Sequence, residues 1–136
     1  MITKINHIGI AVNSLDEQIG FYRDVLNLDF EGIEAVHDQM VRAALFKVGE
    51  VRIELLEPTS PESPIAKFIE KKGEGMHHIA YETDQIDNEI SGLKKAGIQM
   101  IDENPKPGAQ HTTIAFIHPK SSGKVLTEIC QHTKLY

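Results

Sequence analysis

His7-Ile8-Gly9-Ile10-Ala11-Val12 and His78-Ile79-Ala80-Tyr81-Glu82-Thr83 are two versions of one segment, offset by 78 − 7 = 71 residues. The register holds through Leu15/Ile86, Asp16/Asp87 and Ile19/Ile90. Later in each half, Val51-Arg52-Ile53-Glu54-Leu55-Leu56 matches Val125-Leu126-Thr127-Glu128-Ile129-Cys130 at 128 − 54 = 74, so the second copy carries 74 − 71 = 3 extra residues. The chain is a duplication in which each copy has a histidine near its start and a glutamate near its end. Two His and two Glu at repeat-equivalent positions are what a metal site on a pseudo-twofold axis requires, and both residue types suit a divalent transition metal. His7, Glu54, His78 and Glu128 are the candidate ligands.

The pattern around them gives the unit. Residues 5–12 alternate, with His7, Gly9 and Ala11 on one face and Ile8, Ile10 and Val12 on the other, which reads as a strand. Ser14-Leu15-Asp16-Glu17 has the form of a capping box, and Leu15, Ile19, Tyr22 and Leu26 follow at helical spacing. The second copy repeats this with Asp84 as the expected cap, Ile86, Ile90 and Leu93 as the stripe and Gly97 as the stop. Strands are expected at 29–36, 40–48 and 51–56, and again at 99–102, 112–117 and 124–129. Turns fall at Gly49-Glu50, at Pro105-Lys106-Pro107-Gly108 and at Ser121-Ser122-Gly123. The unit is therefore β-α-β-β-β, twice: module 1 about 4–57, a proline-rich connector and short helix over 58–74, and module 2 about 75–132. The expected fold class is α+β, a curved mixed sheet of two tandem modules around a metal site, in a single domain of residues 1–136.

Glu54 interrupts Val51, Ile53, Leu55 and Leu56, and Glu128 interrupts a similar run. A carboxylate in a buried strand costs several kcal/mol unless a cation compensates it. Gly9, Ala11 and Ala80, on the faces of the two histidines, would leave space for a metal and a ligand. The plain alternatives are that each histidine is a hydrogen-bonded core residue and that Glu54 pairs with Arg42 or Arg52. All four coinciding at repeat-equivalent positions favours the metal. His77 must face away from His78; His37, His118 and His132 have no repeat partner and are expected on solvated loops or ends; Cys130 reads as a small buried hydrophobe.

Composition bounds the rest. At 136 residues with net charge −6 and pI about 5.6, the chain has the size of one domain and no basic run longer than Lys71-Lys72 or Lys94-Lys95. That argues against nucleic acid or an anionic membrane as the main partner. A single cysteine and the lack of any long apolar run point to a protein of the cytoplasm.

A duplicated β-α-β-β-β unit with His, Glu, His and Glu from four strands resembles the vicinal oxygen chelate superfamily, which includes glyoxalase I, extradiol dioxygenases and bleomycin-binding proteins. Within it, Asn6 to Val12, Ile53 to Pro58, Ser63-Pro64-Ile65-Ala66-Lys67-Phe68, Gly75-Met76-His77-His78-Ile79 and Ile114 to Lys120 are similar to the methylmalonyl-CoA epimerase family. The chain departs from that pattern at Gly108-Ala109-Gln110-His111, where the family has a glycine-richer loop, and at Gly123-Lys124.

The resemblance implies metal-dependent interconversion of the two configurations of methylmalonyl-CoA through an enediolate, with Co²⁺, Zn²⁺, Mn²⁺ or Ni²⁺ as the ion. Inversion needs an acid/base group on each side of the reacting carbon. Glu128 is the preferred base, with Glu54 the candidate for the other side and His111 an outside one. The implied partner is an acyl-CoA, its tail near Lys106, Lys120 or Lys124, and a homodimer is usual in such families. A lactoylglutathione lyase (glyoxalase I) type of isomerase and a non-enzymatic small-molecule-binding protein are the rival readings.

Overall fold

The computed structural model describes residues 1–133, so the last three residues of the expected 1–136 domain lie outside the described residues. Two compact units divide the chain, one of residues 7–77 and one of residues 1–6 together with the segment from 78 onward. β1 (Ile2–Ala11) contributes its first half to the latter and its second half to the former.

In the unit of residues 7–77, β1 leads into α1 (Leu15–Gly20), followed by β2 (Asp29–Val36), β3 (Val41–Val48), β4 (Val51–Pro58) and α2 (Pro64–Lys72). The strand order is β2-β3-β4-β1, with β4 and β1 parallel and the other pairs antiparallel. Alternation places Phe46, Ala44, Ile53, Leu55 and Ile10 on one face, where α1 buries Leu15 and Ile19 against them. Phe30 and Tyr22 pack on Phe46 at centroid distances of 5.1 and 5.6 Å. The opposite face of β1 and β4 is thereby left to His7 and Glu54.

α1 starts as expected: the Glu17 amide donates to Ser14 Oγ at 3.3 Å, and Asp16 and Glu17 sit in the first turn, where the helix dipole favours them. It does not continue as expected. Residues Phe21–Val25 form a π-turn, with the Leu26 amide donating to the Phe21 carbonyl at 2.9 Å. The five-residue turn shifts the 3.6-residue stripe, so Leu26 is 48 % exposed and Leu28 packs on the core instead. In the connector, Ser63 caps α2 with Pro64 in the first turn, and Gly73, at φ +79°, ends it.

The other unit has strand order β1-β5-β8-β7-β6, in which β5 (Gly75–Thr83) and β8 (Thr127–His132) are parallel, and β7 (Thr112–Ile117) is antiparallel to β8 and to β6 (Lys106–Pro107). α3 (Ile86–Lys95) buries Ile86 and Ile90 against Ala115, Ile117 and Ile129. Each module is thus β-α-β-β-β in a mixed sheet, the α+β class expected.

Four local expectations are corrected. The cap of α3 is Gln85 rather than Asp84: the Ile86 amide is satisfied by Gln131 Oε1 at 2.9 Å, and Asp84 Oδ1 instead accepts from the Met1 ammonium at 2.9 Å. Residues 99–102 make only an isolated bridge from Met100 to Ile117, because Asp102 Oδ2 takes the Phe116 amide at 2.8 Å in place of a strand carbonyl. Lys106–Pro107, expected in a turn, then pairs with β7. The last strand begins at Thr127 rather than Lys124, since the Lys124 amide closes onto the Pro119 carbonyl at 2.8 Å and winds that segment into a turn.

Candidate functional site

Each unit carries one buried histidine–carboxylate pair. In the unit of residues 7–77, His7 Nδ1 lies 3.3 Å from Glu54 Oε2, with side-chain exposures of 7 % and 6 %. In the other, His78 Nε2 lies 3.2 Å from Glu128 Oε1, both at 4 %. The strand registers that make these pairs are the same: Gly9, two residues after His7, stands opposite Glu54, and Ala80, two residues after His78, stands opposite Glu128. A residue with little or no side chain at that rung lets the carboxylate lean toward the imidazole, which is why both copies keep one there.

The arginines that could have neutralised Glu54 are engaged elsewhere. Arg52 Nε donates to Glu31 Oε1 at 2.7 Å and Arg42 Nη1 to Glu57 Oε1 at 3.0 Å. Each arginine that the sequence offered to Glu54 thus pairs with another carboxylate. A carboxylate buried beside an imidazole offers oxygen and nitrogen donors of the kinds that a divalent cation accepts.

The face that bears Glu128 is lined by Ala80, Ile114, Phe116 and Cys130, with Phe116 opposite Glu128 and Ile114 opposite Cys130. The Phe116 ring meets the His78 ring edge-on, centroids 5.4 Å apart at 83°. Cys130 is fully buried in this cluster, as expected for a small hydrophobe.

The other histidines divide. His77 packs edge-on against Phe68 of α2 at 4.9 Å. His37 is exposed in the short turn His37–Gln39, and His111 is exposed in the β6–β7 loop. His118 is not simply solvated, since its Nδ1 accepts from the Lys120 amide at 3.0 Å and caps the turn Pro119–Ser121. His132 ends β8 with Nε2 3.5 Å from Glu82 Oε1, which also accepts from Asn6 Nδ2 at 2.8 Å. The sequence reading missed this last group because its members come from three strands without a shared motif.

A family model described as the Glyoxalase/Bleomycin resistance protein/Dioxygenase superfamily matches residues 6–116. The chain belongs to that superfamily. Among superfamily relatives, an uncharacterized protein of Bacillus subtilis is 41 % identical over 130 residues, 96 % of this chain and 93 % of that one. An ethylmalonyl-CoA/methylmalonyl-CoA epimerase of Cereibacter sphaeroides is 35 % identical over 133 residues, 96 % of this chain and 99 % of that one. A solved methylmalonyl-CoA epimerase in complex with methylmalonyl-CoA and NH4+ superposes with a TM-score of 0.94 at 34 % identity, covering 98 % of this chain and 96 % of that one.

Proposed function

We propose that this superfamily member is a methylmalonyl-CoA epimerase that holds one divalent ion through His7, Glu54, His78 and Glu128. The similarity to epimerases places the chain among isomerases of the racemase/epimerase kind. The observation that carries the finer reading is the pair of register-equivalent, buried His–Glu contacts at 3.3 and 3.2 Å. His7, His78 and Glu128, all buried, are a group that could hold a metal ion, and Co²⁺, Zn²⁺, Mn²⁺ and Ni²⁺ all accept such donors. When bound, the ion supplies Lewis-acid stabilisation of the negative charge that develops on the substrate oxygens.

The work left to the chain is proton transfer. The carbon between a thioester carbonyl and a carboxylate loses its proton to a base on one face and regains one from an acid on the other. Glu128 is the base in this reading, its carboxylate on a face lined by apolar Ala80, Ile114 and Phe116. That lining keeps water from competing for the carboxylate. Glu54 serves the opposite face, with His111 the alternative.

A single domain over residues 1–136, a homodimer and a cytoplasmic location belong to the same proposal, and light scattering of the purified protein tests the dimer. No helix among the described residues is long and apolar enough to cross a membrane.

The test offers the metal-loaded protein (2S)-methylmalonyl-CoA and, separately, the hemithioacetal of methylglyoxal and glutathione. Conversion of the first to the 2R form with no turnover of the second supports the proposal. Turnover of the hemithioacetal alone would replace it with the glyoxalase type of isomerisation.

A further inference from the structure

We propose that Lys106 is a specificity-determining residue that reads the free carboxylate of the acyl group, so that the site prefers malonyl-type thioesters to thioesters with a neutral acyl group. The inference rests on the acyl-CoA reading above and adds the residue that recognises the acid.

The β6–β7–β8 register fixes where Lys106 stands. Lys106 is opposite Ile114, and Phe116, two residues along β7, is opposite Glu128, so Lys106, Ile114, Phe116 and Glu128 share one face. The ammonium is held there by two contacts. Asp102 Oδ1 lies 3.1 Å from Lys106 Nζ, and the Phe116 ring centroid lies 5.6 Å from it. Asp102 is itself pinned, its Oδ2 accepting the Phe116 amide at 2.8 Å, and the same ring touches His78. The cation is thus latched to the aromatic that contacts a candidate ligand histidine.

Stability alone does not account for the arrangement. The Lys106 side chain is 39 % exposed, and an ion pair with one partner so open to water adds little to stability. Its value is orientation: a lysine held in place has lost its rotamer entropy before the ligand arrives. Three N–H donors exceed what one carboxylate oxygen and one ring face can use, so a donor remains for an incoming acceptor. Lys120 and Lys124, the other lysines considered for the substrate, stand exposed in the turn before β8. A carboxylate is the acceptor such an ammonium rewards, while a neutral acyl group leaves it without an anionic partner.

Malonyl-CoA and acetyl-CoA differ in that carboxylate alone, so their dissociation constants for the metal-loaded wild type and Lys106→Met isolate it. The expected result is about a tenfold or greater loss of malonyl-CoA affinity with acetyl-CoA and metal content unchanged. Equal weakening of both thioesters, or of neither, overturns the assignment and leaves the epimerase reading standing. Should Lys106→Met fail to fold, Lys106→Gln is measured against the same criterion. A wild type that binds neither thioester would sink the acyl-CoA reading and this inference together.

Discussion

His7 and Glu54 meet at 3.3 Å from neighbouring parallel strands, with Gly9 rather than a larger residue opposite the glutamate. This contact recurs in the second copy as His78 and Glu128 at 3.2 Å, with Ala80 in the place of Gly9. Neither imidazole nor carboxylate is positioned by local sequence alone; each needs the β-α-β-β-β unit to bring its first and last strands side by side.

Metal content follows from these pairs. The purified protein should hold about one divalent ion per chain, and His7→Ala or His78→Ala should lower affinity at least about tenfold. Chelation should lower the Tm of the wild type, by the equivalent of about 2.7 kcal/mol if the ion is present at a hundred times its Kd, and should leave the His7→Ala/His78→Ala double variant unmoved. Full occupancy by elemental analysis in that double variant would refute the ligand assignment.

Glu128→Gln separates binding from proton transfer. The amide keeps the shape and an oxygen that can still coordinate, but it cannot take up a proton. Metal content should fall modestly while α-proton exchange falls by about 10² or more. Glu54→Gln should lose less. If Glu128→Gln exchanges at the wild-type rate while Glu54→Gln or His111→Ala does not, the base is that other residue.

The β6–β7 loop carries backbone strain. Gln110 and His111 both sit at φ 56°, where a side chain costs about 1–2 kcal/mol and glycine costs nothing sterically. The loop is nevertheless tied down, with Thr112 Oγ1 donating to the Ala109 carbonyl at 2.6 Å and the Thr133 amide to the His111 carbonyl at 2.8 Å. Replacing both by glycine should raise Tm, a net gain of about 1 kcal/mol after the added chain entropy. A lower Tm would mean that the two side chains contribute more than the strain they impose.

Gly108, in the same loop, has the opposite problem. A Cβ there would lie 2.6 Å from Ile114 Cγ2 and 2.8 Å from Thr112 Oγ1, both on well-packed β7. Gly108→Ala should therefore destabilise by about 1–3 kcal/mol in a denaturant titration. Wild-type stability in that variant would show that β7 and the loop can part.

The burial of Glu54 and Glu128 beside His7 and His78 was legible because a charge in an apolar strand has few benign explanations and the duplication supplied each with a counterpart. The flanking elements were legible for a related reason, since Leu15 and Ile19 or Ile86 and Ile90 mark a helix face whatever surrounds it. The π-turn at Phe21–Val25 was not, because Leu26 keeps perfect helical spacing in the sequence and is displaced only by the added residue in the turn. The cap of α3 was hidden for another reason: Gln131, 45 positions away, satisfies the Ile86 amide, so no local motif records it. The latch of Lys106 to Asp102 and Phe116 likewise depends on a strand edge that Pro105 and Pro107 disguise as a turn.

The central claim is that this chain removes and returns the α-proton of a malonyl-type thioester with help from a bound metal. It is tested most directly by following deuterium from D2O into C2 of methylmalonyl-CoA, by mass spectrometry, with the loaded protein, the chelated protein and the chelated protein resupplied with Co²⁺. The account predicts rapid incorporation with the loaded protein, loss of at least about 10² in rate on chelation, and recovery on resupply. Incorporation that is absent with the loaded protein, or that proceeds unchanged after the metal is removed, would contradict it.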